Sequence, residues 1–71
     1  MSDHQYHGRV AWFDHEKGYG FIRRQSGDDV LFHTNALLNE SQALHQGQRV
    51  SFLIVQGERG RDQADKIVVL Q

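Results

Sequence analysis

The stretch KGYGFIRR, residues 17–24, constrains the fold more than any other part of this 71-residue chain. It alternates glycine with large aromatics and carries positive charge at both ends. Strand interiors normally avoid glycine, which packs nothing and loses the most backbone entropy on ordering. In an extended chain, period two puts Gly18, Gly20 and Ile22 on one face and Tyr19, Phe21 and Arg23 on the other. Ile22 belongs inside, so Tyr19 and Phe21 face outward beside a cation. Glycine is tolerated where the inner side is crowded or tightly curved, as at the bends of a small barrel.

The rest of the chain reads the same way. Strand signals cover YHGRVAWF (6–13), GYGFIRR (18–24), DVLFHT (29–34), QRVSFLIVQ (48–56) and DKIVVLQ (65–71). DHEKG and QSGDD are turn-like, and GERGRDQ (57–63) reads as a charged loop. NALL permits a helical turn with Asn35 as its N-cap. Five short strands without a long helix predict a small all-β barrel, which also solves the edge problem of a short sheet. The expected core is Val10, Ile22, Val30, Phe32, Leu37, Val50, Phe52, Ile54, Ile67 and Val69.

Length leaves room for one domain over residues 1–71, with residues 1–5 expected to fray. The chain has no cysteine, which excludes a disulfide scaffold and thiolate metal sites. No apolar run approaches the roughly 20 residues of a membrane span, and MSDHQYHG lacks a signal-peptide core. A soluble, cytoplasmic protein is the expectation. Net charge is −1 with histidine neutral, so a nucleic-acid site would have to be local and use more than phosphate attraction.

One face supplies such a site. Val30 and Phe32 share the inner parity, so Leu31 and His33 lie outside, beside Tyr19 and Phe21 if the strands pair as a hairpin. Exposed aromatics interleaved with cations are the footprint of a single-strand binder, in which bases stack on rings and cations meet phosphates. At this point a family resemblance becomes specific. GRVAWFDHEKGYGFI, DDVLFHTNALL and GQRVSF resemble the cold-shock domain family over roughly residues 8–70, with KGYGFI and VLFHT matching its two ribonucleoprotein motifs.

The resemblance implies a five-stranded antiparallel oligonucleotide-binding (OB-fold) barrel that binds single-stranded RNA and DNA without catalysis, leaning toward pyrimidines. It implies binding roles for Trp12, Phe13, Lys17, Tyr19, Phe21 and His33, and a basic contact at Arg59. Leu31 joins them by its place on the outer face. Parity alone would put Trp12 inside with Val10, so its implied exposure requires a bend or bulge between them. The chain departs from the family pattern at Ala11, usually lysine, and at Leu31 and Thr34, usually phenylalanine. NESQ (39–42) stands where the family often has a loop aromatic, and Asp14 and Glu16 put negative charge beside the platform.

Two function classes follow: an RNA chaperone or regulator that holds single strands, and a protein-interaction barrel with weakened nucleic-acid binding. Among the remaining arginines, Arg23 is the best ligand candidate by parity. Arg24, Arg49 and Arg61 read as solvated charges. His4 and His7 lack the partners a metal site needs, and no serine sits in a nucleophile context, so neither metal, cofactor nor catalysis is expected. The chain is expected to act as a monomer, with strand exchange the route to a dimer.

Overall fold

The alternating runs become five strands in the computed structural model, which describes residues 5–38 and 44–70. They are β1 (Tyr6–Asp14), β2 (Tyr19–Arg24), β3 (Asp29–His33), β4 (Arg49–Gln56) and β5 (Asp62–Val69). They close into a barrel in the order β1-β2-β3-β5-β4. Four of the pairings are antiparallel, and β3 meets β5 in parallel at Leu31 and Gln63. Arithmetic demands that exception to the antiparallel expectation. Directions cannot alternate all the way around a ring with an odd number of strands.

The core contains Val10, Ile22, Val30, Phe32, Leu37, Val50, Phe52 and Ile67, all expected there from the sequence. Ile54 and Val69 pack against it only partly buried. Ala36, Leu44 and Ala64 are also buried. Ala64 and Ile67 lie three residues apart yet both point inward. The register of β5 slips by one against β4 between Ser51 and Leu53, and Lys66 takes a left-handed φ of 47°. That bulge lets two inner residues sit an odd number apart.

β5 begins at Asp62, three residues before the expected start, because its first residues pair with the end of β4 through Gln56 and Asp62. The turn after β3 is a 3-10 turn, Thr34–Ala36. Asn35 is inside it, and the N-cap position falls to His33, whose side chain makes no capping bond. The expected capping role of Asn35 is therefore incorrect, since the turn starts at Thr34, two residues before the start that an Asn35 cap implies. Leu37 continues from this turn into a parallel bridge with Ile67, and the Leu38 amide donates to the Ile67 carbonyl at 2.8 Å. The NESQ segment and most of the expected frayed terminus lie outside the described residues.

Gly20 explains the glycine of the opening stretch. A Cβ there would collide with the Trp12 carbonyl oxygen and come within 2.9 Å of the Phe13 Cα and 3.0 Å of the Phe32 ring. β1 and β2 approach too closely for any side chain on this inner face. Gly18 has a different reason: its φ of 74° closes the turn after β1.

Candidate nucleic-acid interface

The site begins with a bulge. β1 pairs Val10 with Ile22 but Trp12 with Phe21, leaving Ala11 as the extra residue. Beyond it the faces of β1 invert. Val10 is buried, Trp12 turns outward with 45% of its surface exposed, and Phe13 turns inward. The bulge that Trp12 needed is present.

Register then arranges the outer face into rows across the strands. Asp14, Tyr19 and His33 form one row. Trp12, Phe21, Leu31 and Gln63 form the next. Trp12 lies 5.6 Å from the Tyr19 ring, edge-on at 69°, and 6.1 Å from the Phe21 ring, tilted at 34°. Tyr19 in turn lies 6.4 Å from the His33 ring. Such edge and tilted contacts are the geometry aromatic quadrupoles favour, so the rings hold one another in place. Tyr19 and Phe21 are half-buried, less open than parity alone suggested, because Trp12 leans against both.

The other expected residues divide around this cluster. Phe13 stands apart from it. Its ring is half-buried, stacked on the core ring of Phe32 at 5.8 Å and met edge-on by His15 at 4.5 Å. Lys17 is exposed in the turn between β1 and β2. Arg59 lies across the β3–β5 seam, exposed and with a left-handed φ of 61°. The short loop carrying it is pinned by Gly57 donating to the Arg61 carbonyl at 2.6 Å. Together Leu31, His33, Arg59, Arg61 and Gln63 line an open groove beside the rings.

Sequence reasoning missed Arg61 and Gln63. Only the parallel pairing of β3 with β5 brings them to the platform, and nothing local in the chain signals that pairing. The role of Asp14 was also hidden. Its Oδ1 accepts from the Glu16 amide at 2.9 Å and the Lys17 amide at 3.1 Å, so this carboxylate shapes the turn that presents Lys17. Arg23, the parity candidate, pairs with Asp29 at 3.1 Å, both side chains largely exposed.

The family model of the 'Cold-shock' DNA-binding domain matches residues 6–70. The chain belongs to the cold-shock domain family. It is 49% identical to the cold shock protein CspB of Geobacillus stearothermophilus, over 84% of this chain and 92% of the relative. It is 48% identical to the cold shock protein CspD of Bacillus subtilis, over 89% of this chain and 96% of that protein. Among solved structures it resembles Drosophila Unr CSD456 with a TM-score of 0.85 and 25% identity. That likeness covers 99% of this chain and 28% of the other. Within this cold-shock domain, Ala11 is the bulge residue of β1, Leu31 stands between Phe21 and Gln63, and Thr34 opens the 3-10 turn half-buried. Ala11 and Leu31 thus border the ring cluster or its supporting bulge, and Thr34 follows His33 directly in the chain. No helix among the described residues is long and apolar enough to cross a membrane.

Proposed function

We propose that this cold-shock domain binds single-stranded RNA and DNA by stacking bases on Trp12, Tyr19, Phe21 and His33, and that it acts as an RNA chaperone or regulator rather than an enzyme. The carrying observation is the cluster of four mutually supported rings on the outer face of three adjacent strands. Leu31 offers an apolar contact, Phe13 its exposed edge, and Lys17 and Arg59 meet phosphates from either side. Stacking contributes roughly 1–3 kcal/mol per base and accepts many sequences, with a lean toward pyrimidines. The barrel closes on its own five strands, which supports one chain as the binding unit.

Titration with a single-stranded thymine heptamer tests the reading. Trp12 emission should fall as a base covers the indole. An unchanged signal at high micromolar oligonucleotide, with no heat in calorimetry, rejects it. The salt dependence should be shallow. Each phosphate neutralised on a single strand contributes a slope of about −0.7 in log affinity against log salt. The few cations around the rings give an expected slope of roughly −1 to −2 for the heptamer. A slope steeper than about −4 would show that charge, not stacking, dominates.

Leu31 and Thr34 make a second test. Neither carries a ring; Leu31 pairs with Phe21, and Thr34 follows His33 directly. At roughly 1–3 kcal/mol per stacked base, replacing both with phenylalanine should tighten heptamer binding at least about tenfold. A gain below about twofold, with the fold intact by circular dichroism, would favour a protein partner for this surface over nucleic acid.

A further inference from the structure

Beyond the rings, the outer face carries a third row. β1 pairs Arg9 with Arg23 of β2 on one side and with Arg49 of β4 on the other. All three side chains are exposed. Three arginines thus lie abreast on adjacent strands, about 5 Å from one strand to the next. The row is one step along β2 from Phe21, roughly 7 Å. On β1 it stands beside the ring row because the Ala11 bulge absorbs the extra residue between Arg9 and Trp12.

Such a row works against the fold, since like charges directly opposite each other in a sheet are destabilising. Its compensation is incomplete. Asp29 pairs with Arg23 at 3.1 Å, and Asp28 with Arg24 at 3.3 Å. Among the described residues the Arg9 side chain donates only to the Gly47 carbonyl, at 3.1 Å, and Arg49 has no ion pair. His7, Gly8, Arg24 and Gln25 join these three arginines around one hollow. In it, Arg24 holds a buried Nε with no hydrogen-bond partner among the described residues. The hollow is a concentration of donors short of acceptors on a chain whose net charge is −1.

We infer that the row Arg23–Arg9–Arg49 is a phosphate-backbone site for the nucleotides that run past Phe21, so that one bound strand passes from the rings onto the arginines and across β1 to β4. The inference rests on the stacking function proposed above and extends it to a second, chemically distinct part of the footprint. The occupant is the nucleic-acid backbone because the row is continuous with the ring cluster and complementary to regularly spaced negative charge. Guanidinium groups also suit phosphate by geometry, since their planar fork donates in pairs. Two strand spacings, about 10 Å, hold roughly two phosphates.

The experiment compares a thymine pentamer with a thymine dodecamer, followed by Trp12 emission over a range of salt. The pentamer reports the rings. The dodecamer reports the rings and the row, and its extra binding registers raise affinity without changing the salt slope. The wild-type slope should be steeper for the dodecamer by about 1.4, two phosphates at about 0.7 each. In the double variant Arg9→Gln, Arg49→Gln that increment should fall to near zero, with pentamer affinity within about threefold of wild type. Arg49→Glu should also remove the increment while raising the melting temperature, because it sets an opposite charge beside Arg9. No increment in the wild type, or an increment that survives these substitutions, overturns the inference and leaves the stacking function standing. A pentamer that does not bind at all overturns the stacking function, and the inference falls with it.

Discussion

Trp12→Ala should weaken binding of a single-stranded thymine heptamer by about 10- to 100-fold while changing the melting temperature by only a few degrees. The loss has two sources. The indole is exposed where Tyr19 and Phe21 are half-buried, so its removal takes away one stacking surface, at roughly 1–3 kcal/mol. It also leans on both Tyr19 and Phe21, and without it those rings lose the contacts that hold their orientation. Stability changes little because the indole lies outside the buried core and already meets water over 45% of its surface. With the only tryptophan gone, calorimetry or the anisotropy of a labelled heptamer supplies the readout. A variant that binds within about twofold of wild type would remove Trp12 from the interface.

Gly20→Ala should have the largest effect on the fold. The added methyl meets the Trp12 carbonyl oxygen, the Phe13 Cα and the Phe32 ring together. Two of those three atoms are backbone, so no rotamer change relieves the clash and β1 must move away from β2. Overpacking of this kind costs about 3 kcal/mol. A domain of this size has roughly 4–11 kcal/mol in total. The expected fall in melting temperature is about 12–24 °C, read by circular dichroism. Binding should weaken too, because the displaced strands carry Trp12 on one side and Tyr19 and Phe21 on the other. A fall of less than about 4 °C would mean that the strand approach at Gly20 is looser than the structure gives.

Much of the core was legible in the sequence because period two is a local property. Val30 and Phe32, or Val50 and Phe52, announce their shared face to any reader of the chain. Ala64 escaped because its neighbour in the core, Ile67, is three residues away, and a single left-handed residue at Lys66 makes that possible. Nothing in the stretch ADKI signals where the extra residue will go. Ala36 and Leu44 escaped for another reason. They lie outside the strands, where alternation carries no information, and become buried only in the closed barrel. For Trp12 local parity pointed the wrong way, and the family pattern supplied what periodicity could not.

The platform divides along the same line. Alternation within β2 and β3 was enough to set Tyr19, Phe21, Leu31 and His33 on the outer face, since a one-residue slip would have buried all of them and expelled Ile22, Val30 and Phe32. Which outer residues stand side by side is a matter of register between strands far apart in sequence. That is decided by the bulge at Ala11, by the parallel seam that an odd ring of strands requires, and by the approach of β1 to β2 over Gly20. Within β2 and β3 the sequence by itself determined which side chains face water. Only closure of the barrel decided that rings would gather against rings, that Arg61 and Gln63 would flank them, and that Arg9, Arg23 and Arg49 would meet in one row. Facing depends on the pleat of a single strand, whereas neighbourhood depends on hydrogen-bonded pairings that no single strand contains.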